Sequence, residues 1–202
     1  MKQVLIFVFL FLFKFGFSPE VFLPINNPGN RSVEEIQLTE IGRFGVWRKD
    51  RPKVPGHFHT GIDIMRPSNN YQNEPVFPIA PGIVISKRDD GPYAQIIIEH
   101  QLDEMRFWTV CEHIAGILVS VEDTVFPGTP IARFMNRNEL NNYGWQFDHF
   151  HFEVLKIKPI SLNPTHNTPE RYYNSYSLSC YTINELNKYF YDPIEFFNLM
   201  RG

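Results

Sequence analysis

Phe147-Asp148-His149-Phe150-His151-Phe152-Glu153-Val154-Leu155-Lys156 is the stretch on which the reading of this chain turns. From His149 to Val154 polar and apolar residues alternate, the period of an extended strand. His149, His151 and Glu153 then share one face, and Phe150 and Phe152 take the other, toward a core. A strand that aims two imidazoles at one surface needs a partner for them. His59-Thr60-Gly61-Ile62-Asp63 supplies one, with a His and an Asp four residues apart. Histidine is the commonest transition-metal ligand, and Asp is a natural hard partner for Zn²⁺. The two segments together offer three ligands and a spare imidazole. A catalytic zinc site, with one position left open for water, needs that inventory. The chain therefore reads as a metallohydrolase.

The same strand logic extends outward. Val76 to Ile85 holds two short β-rich stretches around Pro81-Gly82, and Val119 to Arg133 turns at Pro127-Gly128. Ala94–Glu99 and Arg106–Ile114 are further strands, joined by a connection of hairpin length at Gln101–Glu104. Asn136–Tyr143, rich in Asn, reads as a loop at the mouth of the site. Lys158–Ser179, rich in Pro, Asn, Ser, Thr and Tyr, has no periodicity and reads as a long loop. Asn184–Phe190 and Pro193–Met200 read as short helices, the second with Asp192 as N-cap and Pro at its first position. These elements predict an all-β fold: an open antiparallel sheet or barrel-like sandwich with a long C-terminal loop insertion and short helices. One domain is expected over 19–202, with its core at about 55–157, the inserted loop at 158–190 and a C-terminal helix at 193–200.

Composition narrows the function. The 202 residues carry 19 Lys+Arg against 22 Asp+Glu, a net charge of −3, with no basic stripe to follow a phosphate backbone. Nucleic acid is accordingly excluded as the expected partner. A hydrophobic share of 43% supports a real core, and 15% aromatic residues with 16 Pro point to sheets and ordered loops. At the N-terminus, Lys2 precedes an apolar run from Val4 to Phe13 that resumes at Phe15. The run falls short of the roughly 20 residues of a bilayer span and suits a signal peptide, residues 1–18, with Gly16-Phe17-Ser18 as a small-x-small cleavage site. Left uncleaved, it would anchor the chain to a membrane. Either way the protein is expected to be exported, to a periplasm, a cell envelope or the exterior. Cys111 and Cys180 offer one disulfide there, although nothing in the sequence brings them together.

The blocks now assembled resemble the lysostaphin-type zinc endopeptidases, which cut peptide bonds in bacterial peptidoglycan. His59-Thr60-Gly61-Ile62-Asp63-Ile64 resembles the family's His-x-Gly-x-Asp signature, and His149-Phe150-His151-Phe152-Glu153-Val154 its His-Leu-His-Phe-Glu block. Thr109–Ile114 is similar to its Thr-x-Tyr-x-His-Leu strand. Pro75–Val84 and Val121–Ala132 resemble its two Gly-containing hairpin segments, and Asp192–Phe197 its closing Asp-Pro segment. The resemblance implies that His59, Asp63 and His151 bind Zn²⁺ and that His113 and His149 flank the metal-bound water. His149 is then the expected general base and His113 the expected stabiliser of the oxyanion, roles that the sequence would allow to be exchanged. Glu153 is expected to orient an imidazole. The implied partners are peptidoglycan peptides, met by a monomer. Cys111 stands where the family often has Tyr, Asp148 where a small residue or Pro is usual, and Lys158–Tyr191 is longer than the family needs.

Blander readings attach to the remaining groups. His100 reads as structural, His166 as solvated, and His57 as a bystander two residues before a ligand. A Cys near a His is also the raw material of a thiol protease, which a buried Cys111 would exclude. A non-enzymatic wall-binding or activating module is the rival class, and the complete ligand set speaks against it. A lipoyl-like carrier fails for want of a Lys at a hairpin tip.

Overall fold

The computed structural model describes residues 21–25 and 32–201; the expected export signal lies outside the described residues. Eight strands organise the site: β1 (Trp47–Arg48), β2 (His57–Phe58), β3 (Ile62–Met65), β4 (Gly82–Arg88), β5 (Gln95–Leu102), β6 (Met105–Glu112), β7 (His149–Leu155) and β8 (Phe190–Tyr191). The main sheet runs β8-β7-β6-β5-β4 and ends on Thr124–Val125, with β3 joining β7 beside β8. All of its pairings are antiparallel. Pro75–Val76, Ala132–Phe134 and Ile114–Ala115 form a second, three-stranded sheet. The expected all-β class holds, with three short helices and, among the described residues, no closed barrel.

Hydrophobic patterning explains the layering. Ile96, Ile98, Phe107, Phe150 and Phe152 bury one sheet face against Phe196 and Phe197, and Val21, Leu23 and Ile25 join the same core. That N-terminal strap is stitched in by Phe22 N–H to the Ile79 carbonyl (2.8 Å) and Phe77 N–H to the Pro24 carbonyl (2.9 Å). Ile97, Trp108, Val110 and Leu155 bury the opposite face against Cys180, Leu186 and Phe190. Covered on both sides, Ile96-Ile97-Ile98 has no reason to alternate with polar residues. At one end of β7 this second face gives way to His149, His151 and Glu153.

Three expectations change, and one question that the sequence left open is answered. Asn136–Tyr143 is a helix, α1 (Arg137–Tyr143), in place of a loop. Asn136 and Glu139 close a capping box, and Leu140 is fully buried, so the Asn-rich sequence hides a strong helix start. The strand expected over Arg106–Ile114 breaks at His113, whose φ of 62° turns the backbone left-handed. The 158–190 insertion is not a free loop. Ile160–Ser161 pairs with Tyr173–Asn174, the backbone of Tyr173 meets the Ser86 hydroxyl, and the Cys180 carbonyl accepts from Phe58 N–H at 2.8 Å. Within it α2 (Ile183–Tyr189) starts on a Thr182–Glu185 capping box. Finally, Cys111 and Cys180 are separate buried thiols, so no disulfide forms. The last helix, α3 (Pro193–Arg201), begins as expected, with Asp192 Oδ1 accepting from Ile194 N–H at 2.8 Å.

Candidate metal centre

Antiparallel pairing of β3 with β7 places Asp63 opposite His151. The Asp63 backbone is gripped from the other side, its N–H donating to the Gly42 carbonyl (2.9 Å) and its carbonyl accepting from Thr39 N–H (3.0 Å). His59 enters on the loop before β3, tied to the residue preceding β1 by its N–H to the Val46 carbonyl (2.8 Å). Gly61 lies between them because nothing larger fits: a Cβ there would sit 2.2 Å from the Phe152 carbonyl oxygen. The HxGxD spacing therefore encodes a backbone packed directly on β7.

His59 Nε2, Asp63 Oδ1 and His151 Nδ1 form a triangle with sides of 3.1, 2.8 and 3.0 Å. Among the described residues this trio is the one cluster of ligand-type side chains able to hold a metal ion. Its donor set suits Zn²⁺, whose tetrahedral bonds of about 2.0–2.1 Å put neighbouring donors about 3.3 Å apart. The outer nitrogens are already committed. His59 Nδ1 faces the Arg43 carbonyl at 2.9 Å, and His151 Nε2 faces Glu153 Oε1 at 3.1 Å. Each bond fixes the ring and leaves the opposite nitrogen free for a metal. Glu153 is itself held, its carboxylate accepting from Thr60 Oγ1 and from Ser175 Oγ, both at 2.5 Å. Ser175 belongs to the insertion, which thus supports His151 through Glu153.

Electrostatics follow from burial and from the two carboxylates. Burial works against ionised Asp63, yet hydrogen bonds with His151 and His59 outweigh it and hold its carboxyl far below the ordinary range. Burial also opposes charge on His151, but Asp63 and Glu153 prevail and hold its pKa up at about 10. Metal binding there must displace a proton. Burial lowers His59 and His113, and it pushes His149 down to about 4, so these three rings are neutral at pH 7.

His113 and His149 pack together beside the trio, with ring centroids 4.9 Å apart and His149 Nε2 3.6 Å from Asp63 Oδ1. Neither joins the ligand trio. The left-handed turn at His113 sends its Nδ1 to the Pro92 carbonyl at 2.6 Å, while Phe147 and Tyr93 pack on the ring. Asp148 is satisfied by Arg66 (2.8 Å) and by the Tyr71 hydroxyl (3.1 Å), so its carboxylate does not compete for the metal.

The other histidines behave as the sequence suggests. His57 bonds the Pro55 carbonyl outside the trio, His100 is fully buried between the Pro81 carbonyl and Thr109, and His166 is exposed. Cys111 is buried and its pKa is raised by that burial, which keeps it a thiol and removes the thiol-protease reading. Cys180 is likewise pushed up to about 12 by burial. Two site residues escaped the sequence reading: Arg48, whose Nη2 lies 2.6 Å from Asp63 Oδ2, and Ser175. Neither has a local signal, since one sits in a two-residue strand and the other in an aperiodic segment.

An antiparallel sheet bearing a buried His-Asp-His trio beside two neutral imidazoles defines a metallopeptidase-type centre. Residues 57–164 match the model of Peptidase family M23, and the chain belongs to that family. This is the lysostaphin-type family expected from the motifs. Comparison with curated proteins gave no match. Among solved structures, a zinc containing peptidase from Vibrio cholerae is 25% identical, with a TM-score of 0.44. The match covers 67% of this chain and 37% of that one. The SpoIIQ–SpoIIIAH pore forming complex matches at 15% identity and a TM-score of 0.44, over 85% of this chain and 98% of that one. The M23 metalloprotease pseudoalterin, from the deep sea, matches at 19% identity and 0.39, over 68% and 70%.

Proposed function

We propose that the protein is an exported zinc endopeptidase that hydrolyses peptide bonds in peptidoglycan, with His59, Asp63 and His151 as the metal ligands. The observation that carries this reading is the closed triangle of three pre-oriented donors with two unliganded, neutral imidazoles beside it. Zn²⁺ held there would supply a Lewis acid for the scissile carbonyl and a water of lowered pKa.

The chain's own residues move the proton. A neutral imidazole has one donor and one acceptor nitrogen. His113 spends its N–H on the Pro92 carbonyl, which leaves Nε2 as a lone pair facing away from that bond. This favours His113 as the general base that takes the water's proton and returns it to the leaving amine, the reverse of the sequence expectation. His149, neutral and, among the described residues, without a side-chain hydrogen bond to the backbone, is then the N–H donor for the developing oxyanion. A groove of about 620 Å³ beside the site, lined by Asn69, Tyr71, Gln72, Arg137 and Asn138, gives room for a peptide, and Tyr71 links it to Asp148 next to His149.

Export rests on the apolar run Val4–Phe13. Among the described residues no helix is long and apolar enough to cross a membrane.

The test is mass spectrometry of peptidoglycan incubated with the zinc-loaded protein, beside His113→Ala and His151→Ala. New amine and carboxyl termini are expected with the wild type alone, with zinc retained by His113→Ala and lost by His151→Ala. Intact peptidoglycan in every sample, with zinc bound, would discard the peptidase reading.

A further inference from the structure

We infer that Arg48 is a positioning residue that confines Asp63 to one-oxygen coordination of the metal, an inference that rests on the zinc reading above. Asp63 divides its two oxygens. Oδ1 faces the ligand trio, 3.1 Å from His59 Nε2 and 2.8 Å from His151 Nδ1. Oδ2 turns away to Arg48 Nη2 at 2.6 Å. The two side chains are only 17% and 7% exposed, so water competes weakly for the pair. Among the described residues the Arg48 guanidinium makes no other hydrogen bond or ion pair.

A carboxylate with both oxygens free can bind a metal through either or both. A charge-assisted bond from a guanidinium that cannot deprotonate removes one of them. Two consequences follow. Three protein donors remain three, which keeps the fourth position for water. Negative charge is also drawn toward the guanidinium, so Asp63 donates less to the metal and leaves it the stronger Lewis acid.

The hairpin that carries Arg48 is built to hold this geometry. β1 pairs with β2, with Arg48 opposite His57, two residues before the ligand His59. Trp47 packs edge-on against Phe58 at 5.1 Å, and Gly56 is needed because a Cβ there would lie 2.7 Å from the Trp47 ring. Gly45 N–H to the His59 carbonyl, 2.9 Å, ties the same hairpin to the ligand segment. Arg48 is thus delivered by its own supersecondary unit, and nothing else in the described structure engages its guanidinium.

The experiment loads the full-length protein and its Arg48→Met and Arg48→Lys variants with Co²⁺ alone and records the visible spectrum. Four-coordinate Co²⁺ absorbs strongly and five- or six-coordinate Co²⁺ weakly. The wild type is expected to show the intense band. Arg48→Met should still bind one Co²⁺ but lose most of the band as Asp63 Oδ2 swings in. Arg48→Lys, which keeps the charge without the fixed fork, should fall between. A full-intensity band in both variants overturns the inference and leaves the zinc site standing. Should Arg48→Met fail to fold, a wild-type band in Arg48→Lys and in a folded Arg48→Gln overturns it equally. A wild type that binds no Co²⁺ removes the metal reading itself.

Discussion

Gly61→Ala tests the physical core of the site with a single methyl group. The added Cβ would lie 2.2 Å from the Phe152 carbonyl oxygen and 2.9 Å from Glu153 Cγ, where ordinary contact begins at 3.4 Å. Phe152 cannot retreat, because it is paired with Ile62 on one side and Cys111 on the other. The His59–Asp63 segment must therefore rise by about 1 Å, as overpacking forces backbone shifts in a close-packed site. The ligand triangle measures only 2.8–3.1 Å on a side, so a shift of that size opens it by about a third. Overpacking of this kind costs about 3 kcal/mol, a fall in Tm of about 6–12 °C for a domain of this size. Misplacing ligands by about 1 Å also costs about 100-fold in turnover. The assay is thermal unfolding of the metal-free protein together with zinc competition against a chromophoric chelator. Gly128→Ala is the control, since its φ of 86° strains an alanine but no atom lies within 4 Å of the new Cβ. It should lose about 1–2 kcal/mol and no zinc affinity. If Gly61→Ala keeps its Tm within about 2 °C and binds zinc like the wild type, the close approach of the two segments does not hold the site together.

Three further outcomes follow from the same structure. Glu153→Gln keeps the shape but weakens the acceptor that fixes His151, so zinc affinity should fall by about 10- to 100-fold in a competition titration; unchanged affinity would show that Glu153 does not orient the ligand. His100 is neutral in the fold, its pKa pushed down to about 4 by burial against about 6.5 when unfolded. Its contribution is complete above pH 6.5 and is lost as pH falls toward 4, about 3 kcal/mol in all. Urea unfolding at pH 7 and 4.5 should show His100→Asn losing clearly less stability between the two than the wild type, and equal losses would contradict the assignment. A zinc chelator should abolish hydrolysis while iodoacetamide leaves it intact, because Cys111 is buried as a thiol; the opposite pattern would restore a thiol mechanism.

The rigidity of the centre comes from how few of its parts are free to move. His59, His151 and His113 each have their second ring nitrogen engaged, by the Arg43 carbonyl, Glu153 and the Pro92 carbonyl. Glu153 is engaged in turn by Thr60 and by Ser175. The C-terminal insertion, which looks dispensable by composition, reaches under the sheet to complete that chain of contacts. Pre-oriented ligands of this kind avoid the reorganisation that a flexible site would need at the moment of binding or reaction.

Local pattern determined a good deal about this protein. Alternation from His149 to Val154 announced a strand with an imidazole face and a phenyl face, because side chains on an extended backbone have a period of two. The two segments that carry His59, Asp63 and His151, and the all-β class, came from that same kind of information. The Asn136–Glu139 capping box was equally legible in principle, yet the Asn-rich composition around it pointed to a loop. Tertiary structure alone decided the rest. No periodicity predicts the left-handed φ of His113, which exists because the ring must leave the strand to reach the Pro92 carbonyl. Nor does any local signal join Arg48 to Asp63 or Ser175 to Glu153, contacts that span 15 and 22 residues. Sequence states which chemical groups a segment presents; which pairs of them meet depends on strand register and on insertions folding back, and those are properties of the whole packed chain.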